Sequence, residues 1–328
     1  MRLFVEDRWR GDHGISRFAR EVLSRSNLRY EPLGASGNPA SPLDPLRLKR
    51  IRLPREGVLV NPGFNAGPSR AIQLLTIHDL IHLEGDAGLR RHYYERFVRP
   101  AVRNAGRVLT VSETSKSAIV RWLNDDSIEV CVVGNGVDAA FSAARRSTPR
   151  LPEGDSYVLY VGNMKAHKNA PVAFQAVADA PRVRLVCVTG DRASAEALAS
   201  QYGVAGRTRI VSEISDRELI SLYANSDALL FPSVAEGFGL PVLEALAAGC
   251  PVLHLTDCAA VSEISSHFDS GLTALPAERE AWSEALRAHL TSSVRVSEIP
   301  DFYRWETVSR RWDFEVGRQW EGESSVAS

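Results

Sequence analysis

Apolar and polar positions divide the chain into short apolar runs that alternate with longer amphipathic segments. The apolar runs of the first half predict strands at 1–5, 28–32, 57–60, 72–77, 107–111 and 128–133. Those of the second half predict strands at 156–161, 183–188, 208–211, 227–231 and 250–255. The amphipathic segments predict helices at 14–25, 90–104, 112–123, 169–179, 192–202, 216–225, 241–248 and 278–291. Strands alternating with helices are typical of parallel sheets covered by helices on both faces.

The alternation predicts two doubly wound, Rossmann-like α/β domains, because two such sets fit into 328 residues. We expect the first domain at 1–146 and the second at 147–302, since small residues and prolines cluster at Ala139–Pro152. Gly34–Pro54 is rich in Pro, Ser and Gly and predicts a loop. Residues 303–328 predict a helix whose tryptophan-rich face packs back on the first domain.

Composition is that of an ordinary globular protein, with 44% hydrophobic and 24% charged residues. No apolar run is long enough to span a bilayer, and the charged first seven residues favour a strand over a signal peptide. The four cysteines show no C-x-x-C spacing, so we expect buried thiols in a reducing compartment, the cytoplasm.

Charge is distributed unevenly between the two halves. Residues 1–150 hold 24 basic and 16 acidic residues, a net charge of +8, whereas residues 151–328 hold 15 and 24, a net charge of −9. Part of the excess predicts a basic stripe on one helical face, formed by Arg96, Arg99, Arg103 and Arg107. Such a face can lie on an anionic membrane surface, and the alternative is an ordinary solvated face. Nucleic acid is not an expected partner, because no recognition motif accompanies the charge.

The stretch Ala235–Gly249, AEGFGLPVLEALAAG, predicts a ligand-binding turn at the start of a helix. Pro241 suits the first helical turn, where free N–H groups and the helix dipole favour phosphate. Carboxylates such as Glu236 and Glu244 accept hydrogen bonds from sugar hydroxyls. A nucleotide sugar offers both groups. The alternative is a strand, turn and helix in which Glu244 is only a favourable first-turn charge.

Three further polar segments follow predicted strands, where doubly wound sheets bind ligands. They are the glycine-containing segment that ends at Gly14, the pair His78–Asp79, and Gly162–Asn169, which holds two of the four lysines, Lys165 and Lys168. An ammonium group suits a diphosphate, although each segment alone fits a structural role as well. Metal-binding sequence motifs are absent, so we expect neither a metal nor another cofactor.

The ordered set of motifs resembles that of retaining glycosyltransferases of the GT-B fold, in the large family numbered four among sugar transferases. The similarity spans nearly the whole chain, through segments at 14–18, 76–80, 111–115, 135–138, 161–169, 214–219 and 236–244. It implies two Rossmann-like domains that face each other across a cleft, with the nucleotide-sugar donor in the second domain and the acceptor in the first.

The resemblance also implies residue roles. Lys168 would stabilise the departing diphosphate, Glu236 would lie by the transferred sugar, and His78 would contact that sugar near the reacting carbon. The other implied donor contacts are Gly14, Asn163, Phe238, Gly239, Leu240 and the ribose-binding Glu244. Asp79 and Ser112 are the expected acceptor contacts.

The implied reaction is front-face transfer with retention, without metal, to a glycan or lipid-linked acceptor of bacterial surface polysaccharide or lipopolysaccharide. One departure concerns Asn163, where many members carry Arg, so Lys165 or Arg17 would supply the second phosphate cation. Members with Asn at this place suggest a guanosine diphosphate sugar carrying mannose or a deoxyhexose. The alternatives are a uridine nucleotide donor, a GT-B epimerase, or a sugar-nucleotide-binding protein without turnover. The expected location is the cytoplasm, including the inner face of the plasma membrane.

Overall fold

The computed structural model describes residues 2–11, 13–83, 88–147, 156–291 and 296–326. It divides into two compact units, one formed by Met1–Gly136 with Asp301–Ser328 and the other by Val137–Pro300. Both units contain parallel sheets with intervening helices, which confirms the predicted doubly wound α/β architecture. Across the described ranges, no helix combines the length and the apolar character that crossing a bilayer requires.

The sheet of the first unit is parallel in every described strand pair. Its strands are β1 (Arg2–Val5), β2 (Glu31–Pro32), β3 (Gly57–Asn61), β4 (Ile72–Leu75), β5 (Arg107–Thr110) and β6 (Glu129–Val132). Four strands run in the order β2-β1-β3-β4, and β5 pairs with β6. A parallel bridge between Thr76 and Leu109 connects the two sets just beyond β4. All five residues of β3 are buried, as expected for a central strand covered on both faces.

The described part of the first unit contains five α-helices before its junction with the second. They are α1 (Gly14–Arg25), α2 (Asp44–Arg50), α3 (Gly88–Tyr93), α4 (Arg99–Ala105) and α5 (Glu113–Leu123). The prediction of a loop throughout 34–54 is wrong, because Asp44 and Pro45 begin α2 with the residue types that a first helical turn prefers. The predicted helix 90–104 contains a π-helical turn, Tyr94–Val98, between α3 and α4.

The sheet of the second unit has the strand order of a dinucleotide-binding fold. Its strands are β7 (Tyr157–Val161), β8 (Arg184–Val188), β9 (Thr208–Val211), β10 (Ala228–Phe231), β11 (Val252–Leu255) and β12 (Leu272–Leu275). The parallel order β12-β11-β10-β7-β8-β9 places the first strand of the unit beside the fourth. Strand β12 was not predicted, because its short sequence LTAL is only partly buried and lacks a long apolar run.

The helices of the second unit are α6 (Ala139–Ser147), α7 (Ala170–Ala178), α8 (Arg192–Gln201), α9 (Asp216–Asn225), α10 (Leu240–Ala247), α11 (Ala259–Ser265) and α12 (Arg279–Thr291). We expected the division between domains at 146/147, but the units divide at 136/137. The difference is α6, which packs on α9 and α10 of the second unit. Its buried Phe141 lies 5.9 Å from Tyr223, measured between ring centroids.

The final helix, α13 (Trp305–Val326), belongs to the first unit and packs on α1. Trp305, Val308, Trp312 and Val316 are buried on its apolar face, while Trp320 is 36% exposed. The hydroxyl of Ser309 donates a hydrogen bond of 3.1 Å to the carbonyl of Val22 in α1. The first unit is therefore assembled from two distant stretches of the chain.

Candidate functional site

The strand order of the second unit indicates where a ligand is expected. Strands β8 and β9 lie on one side of β7, and β10, β11 and β12 lie on the other, so the order of strands changes direction between β7 and β10. Doubly wound sheets bind ligands in the crevice at the carboxyl ends of two such strands. The loop after β7 contains Asn163 and Lys168, and the loop after β10 contains Glu236 and Gly239. The structure therefore brings together two segments that the sequence identified separately.

An ion pair connects these two loops. The Lys168 Nζ donates to both carboxylate oxygens of Glu236, at 2.7 and 2.9 Å. The two side chains are only 15% and 10% exposed. The backbone amide of Val234 also donates to the carbonyl of His167 at 2.8 Å, which fixes the loops to each other. Because the pair is largely removed from water, its charges act on a nearby ligand more strongly than surface charges would.

The loop after β10 turns into α10 through a left-handed glycine. Gly239 has φ +102° and precedes the first residue of α10, Leu240, while Phe238 beside it is buried. A Cβ at Gly239 would lie 3.5 Å from the nearest side-chain atom, so the backbone conformation rather than space requires glycine. The turn directs the positive end of the α10 dipole towards the loops, where an anion is favoured.

Glu244 lies deeper in α10 than the sequence suggested. It is the fifth helical residue, so the alternative of a first-turn charge is wrong. The side chain is 5% exposed, and Oε2 accepts a hydrogen bond of 3.2 Å from the hydroxyl of Tyr223 on α9. Sequence reasoning missed Tyr223. The available signal was its place four residues after Leu219, on the buried face of α9.

Asn163 and Lys165 shape the loop after β7. The Asn163 side-chain oxygen accepts from the backbone amide of Lys165 at 3.1 Å, and its carbonyl accepts from the Tyr160 hydroxyl at 2.9 Å. Asn163 and Lys165 are both exposed. Arg17, the other candidate for the second phosphate cation, lies in α1 of the first unit.

His78 follows β4 at the carboxyl edge of the first sheet. Its Nε2 lies 2.9 Å from the carbonyl of Pro62, and the ring contacts Phe18 edge-on at 4.9 Å between centroids. Burial lowers the pKa of His78, although the Pro62 carbonyl partly opposes this effect. A neutral ring that bonds a carbonyl through Nε2 must carry its proton there, which leaves Nδ1 as an acceptor.

The remaining predicted residues of the first unit occupy different positions. Gly14 is the exposed first residue of α1, directly after the N-cap His13. The Asp79 carboxylate accepts from the Ile81 amide and lies 3.5 Å from His82. Burial raises the Asp79 pKa, but His82, His78 and the Ile81 amide together outweigh it and the net shift is downward. Ser112 is buried and caps α5 by accepting from the Ser115 amide at 2.9 Å, a structural role.

A buried polar network occupies the point in the first sheet where β1 and β3 meet. The Arg8 guanidinium bonds Glu6 and Asp44, and both carboxylate side chains are completely buried. Asn65 donates to the same two carboxylates at 2.8 and 3.0 Å, and the Trp9 indole donates to Asn65 at 3.1 Å. Sequence reasoning did not identify this network, because its members come from three separate segments.

The predicted basic stripe is not a free cationic face. Arg99 pairs with Glu95 at 2.9 Å, Arg103 with Asp125 at 3.4 Å and Arg107 with Glu129 at 2.7 Å. These carboxylates offset the charge on three of the four arginines. The structure therefore does not support membrane association through this stripe. The fourth arginine, Arg96, pairs with none of these three carboxylates.

One group of potential metal ligands occurs among the described residues: a ligand atom from each of Glu129, Cys131 and Glu315 lies within 4.8 Å of the other two. Arg107 and Arg318 already bond the Glu129 carboxylate. Burial raises the pKa of the Cys131 thiol to about 12, so the thiolate that binds metals is disfavoured. We therefore interpret this group as part of a structural ion-pair cluster.

Comparison with known proteins connects this geometry to sugar transfer. Residues 142–299 match the family described as glycosyl transferases group 1. The O-antigen chain mannosyltransferase RfbU of Salmonella typhimurium is 27% identical over 256 residues, which cover 76% of this chain and 68% of that protein. O-antigen chain mannosyltransferase B of Escherichia coli is 29% identical over 221 residues, covering 63% and 56%. The matched region is thus about two thirds or less of each relative's length.

Solved structures share the fold over the whole chain. WaaG, a glycosyltransferase involved in lipopolysaccharide biosynthesis, has a TM-score of 0.63 at 17% identity and covers 100% of this chain and 98% of its own. A sucrose-phosphate synthase from Thermosynechococcus elongatus has a TM-score of 0.67 at 17% identity, with coverage of 100% and 97%. Residues 142–299 therefore match the group 1 glycosyl transferases, and the two doubly wound units have the GT-B fold.

Proposed function

We propose that the protein is a retaining, metal-independent hexosyltransferase that uses a nucleotide diphosphate sugar. The observation that carries this proposal is the Lys168–Glu236 pair at the point where β7 meets β10, beside the N-terminus of α10. An ammonium and a helix N-terminus offset the charge that builds on a departing diphosphate. A metal ion is not needed for this purpose if these groups supply the positive charge.

The proposed roles follow from the contacts of each side chain. Lys168 contacts the diphosphate, Glu236 holds Lys168 in place and faces the transferred sugar, and Glu244 accepts from ribose hydroxyls while Tyr223 orients it. His78, as a neutral imidazole whose Nε2 proton is bonded to the Pro62 carbonyl, would accept a hydrogen bond from the donor sugar through Nδ1 and would not add a positive charge there. We leave Ser112 out of the proposed site because it caps α5.

We further propose a guanosine diphosphate donor that carries mannose or a deoxyhexose, and a glycan or lipid-linked acceptor of a bacterial surface polysaccharide. Two matched relatives are mannosyltransferases of O-antigen chains, which favours this donor over a uridine nucleotide. The four cysteines are buried free thiols, which fits action in the cytoplasm. The second candidate is a uridine nucleotide donor.

A thermal-shift panel of guanosine, uridine, adenosine and thymidine diphosphate sugars tests the donor, because a ligand that binds the native state raises its midpoint. We expect the largest rise with GDP-mannose or a GDP-deoxyhexose. Release of the nucleotide from the same donors, with lipid-linked glycans as acceptors, then separates an enzyme from a binding protein.

The variant Glu236→Gln should lose transfer, whereas Glu213→Gln, an exposed carboxylate of the same unit, should retain it. A midpoint that no nucleotide sugar changes would refute the donor proposal. Full turnover in Glu236→Gln would remove Glu236 from the reaction.

A further inference from the structure

A cavity of about 920 Å³ lies in the first unit. It is lined by Arg55, Arg70 and Arg96, with Ser69, Phe97 and Asn104 among its other walls. Its described lining contains no carboxylate. Ligand pockets typically have volumes of about 300–1,000 Å³, so this cavity is large enough for a phosphorylated small molecule.

The three arginines differ from the neighbouring cations of α4 and β5. Within the described ranges, Arg55, Arg70 and Arg96 make no ion pair with a carboxylate, while Arg99, Arg103 and Arg107 each have one. All three cavity arginines are exposed to solvent. Like charges around one concave surface raise its positive potential and attract anions. Among the described residues, no carboxylate lies within ion-pairing distance of these three arginines.

The cavity walls are held in place by the fold. The Gln73 side chain, buried in β4, donates to the Gly67 carbonyl at 2.8 Å and accepts from the Gly67 amide at 3.2 Å. These bonds fix the segment that leads to Arg70. The Arg96 guanidinium lies over the Phe97 ring, 5.7 Å from its centroid, which orients the cation without neutralising it.

The position of the cavity separates it from the proposed reaction. Arg55 and Arg70 each precede a strand by two residues, β3 and β4, so they lie at the amino edge of the sheet. His78 follows β4 at the opposite edge. The four residues of β4 that separate the two edges span about 13 Å at 3.3 Å per residue. An anion held by Arg70 is therefore remote from His78.

We propose that this cavity is a second anion site, which binds a phosphate group through Arg55, Arg70 and Arg96. Guanidinium groups match phosphate oxygens in geometry and form paired hydrogen bonds with them. The phosphate belongs either to a soluble phosphorylated molecule or to a lipid headgroup, and the apolar ring of Phe97 accommodates the rest of that molecule. The proposal does not depend on the donor or on the transfer reaction.

Site-resolved arginine labelling tests this proposal with inorganic pyrophosphate as the probe. The full chain is modified with phenylglyoxal with and without the probe, and labelled peptides are quantified by mass spectrometry. We expect pyrophosphate to slow the labelling of Arg55, Arg70 and Arg96 about three-fold or more, because bidentate contacts cover the guanidinium. The labelling of Arg29, Arg50 and Arg121, which are exposed outside the cavity, should not change. Labelling resolves the cavity from any pyrophosphate that binds near Lys168.

A triple variant, Arg55→Gln with Arg70→Gln and Arg96→Gln, should lose this binding about ten-fold or more. The control triple variant Arg29→Gln, Arg50→Gln and Arg121→Gln removes the same net charge and should bind as the parent does. Phosphatidylglycerol vesicles form the second arm: protection of the same arginines by vesicles identifies a headgroup, and protection by pyrophosphate alone identifies a soluble ligand. Equal weakening in both triple variants, or no selective protection by either probe, would overturn the proposal.

Discussion

The ion pair between Lys168 and Glu236 allows a structural role and a catalytic role to be separated. At 2.7 Å and an effective dielectric constant of about 20, the gross attraction between the two charges is about 6 kcal/mol. Desolvation of two side chains that are 15% and 10% exposed offsets much of it. We therefore expect a net coupling free energy of about 2 kcal/mol between the two residues.

The perturbation is a double-mutant cycle with Lys168→Met and Glu236→Gln. Lys168→Met leaves a buried carboxylate without its cation and should cost about 3 kcal/mol of unfolding free energy. Glu236→Gln keeps one acceptor for the ammonium and should cost about 2 kcal/mol. The double variant should cost about 3 kcal/mol rather than the sum of the two, because it leaves no unpaired charge.

The assay for stability is hydrogen exchange in urea, read from peptides that cover β7 and β8, since these strands report the opening of the second unit alone. Turnover of the nucleotide sugar is measured on the same variants. Each single variant should lose about 10²–10³-fold in kcat, and the double variant should stay as low, because the reaction needs both groups. Lys116→Met, which removes a lysine from an exposed pair with Glu113, is the matched control.

Two results would refute this reasoning. Costs that add to within about 0.5 kcal/mol would show that the pair does not form in solution. A double variant that regains turnover together with stability would show that both charges serve the fold and neither serves the reaction.

The other predictions concern the first unit. Tryptophan fluorescence reports the unfolding of this unit, because five of the six tryptophans lie in it. Burial lowers the pKa of His78, so below pH of about 6.5 the unfolded chain binds a proton that the folded unit does not. Stability in urea should therefore fall as pH decreases from about 6.5, and less steeply in His78→Gln. Arg8→Met leaves buried Glu6 and Asp44 without their cation and should cost about 3–5 kcal/mol in the same urea titration. Trp312→Ala leaves a cavity in place of a completely buried indole ring and should also cost about 3–5 kcal/mol of unfolding free energy.

Each of these predictions has a matched control. His254→Gln removes another buried histidine with a lowered pKa, but in the second unit, and should leave the pH profile of the first unit unchanged. Arg2→Met opens the exposed pair with Glu31 and should have little effect. Trp320→Ala, at a partly exposed position of α13, should cost much less than Trp312→Ala. A parent-like profile in His78→Gln, or equal costs within either of the other two pairs, would contradict the corresponding argument.

Sequence patterns predicted the alternation of strands and helices because burial on both faces of a parallel sheet leaves continuous apolar runs. They also identified Lys168 and Glu236, each from its own loop. Their pairing could not be predicted, because it requires β10 to lie beside β7 although two other strands intervene in the chain. Strand order is a long-range property that local periodicity does not contain.

Long-range partners also explain the errors. The prediction of four arginines on one helical face is wrong for Arg107, because the helix ends at Ala105 and Arg107 begins β5. Glu95 is a visible partner four residues before Arg99. Asp125 and Glu129 come from later segments, so the stripe looked free in the sequence. The surroundings of Glu244 also depend on a distant partner, because its carboxylate is bonded by Tyr223 of the preceding helix. The opposite error concerns α2, where Asp44 and Pro45 are local start signals that the surrounding Pro, Ser and Gly obscured.

The seating of α13 on α1 has a consequence for how the chain folds as it leaves the ribosome. Residues 301–326 are synthesised after the entire second unit, although they complete the core around Phe18 of the first. During translation, residues 137–300 can therefore fold while the apolar surface of residues 1–136 that α13 covers is still exposed. Nascent chains arrested before residue 301 should recruit chaperones through the N-terminal segment, and release of the last helix should end that dependence.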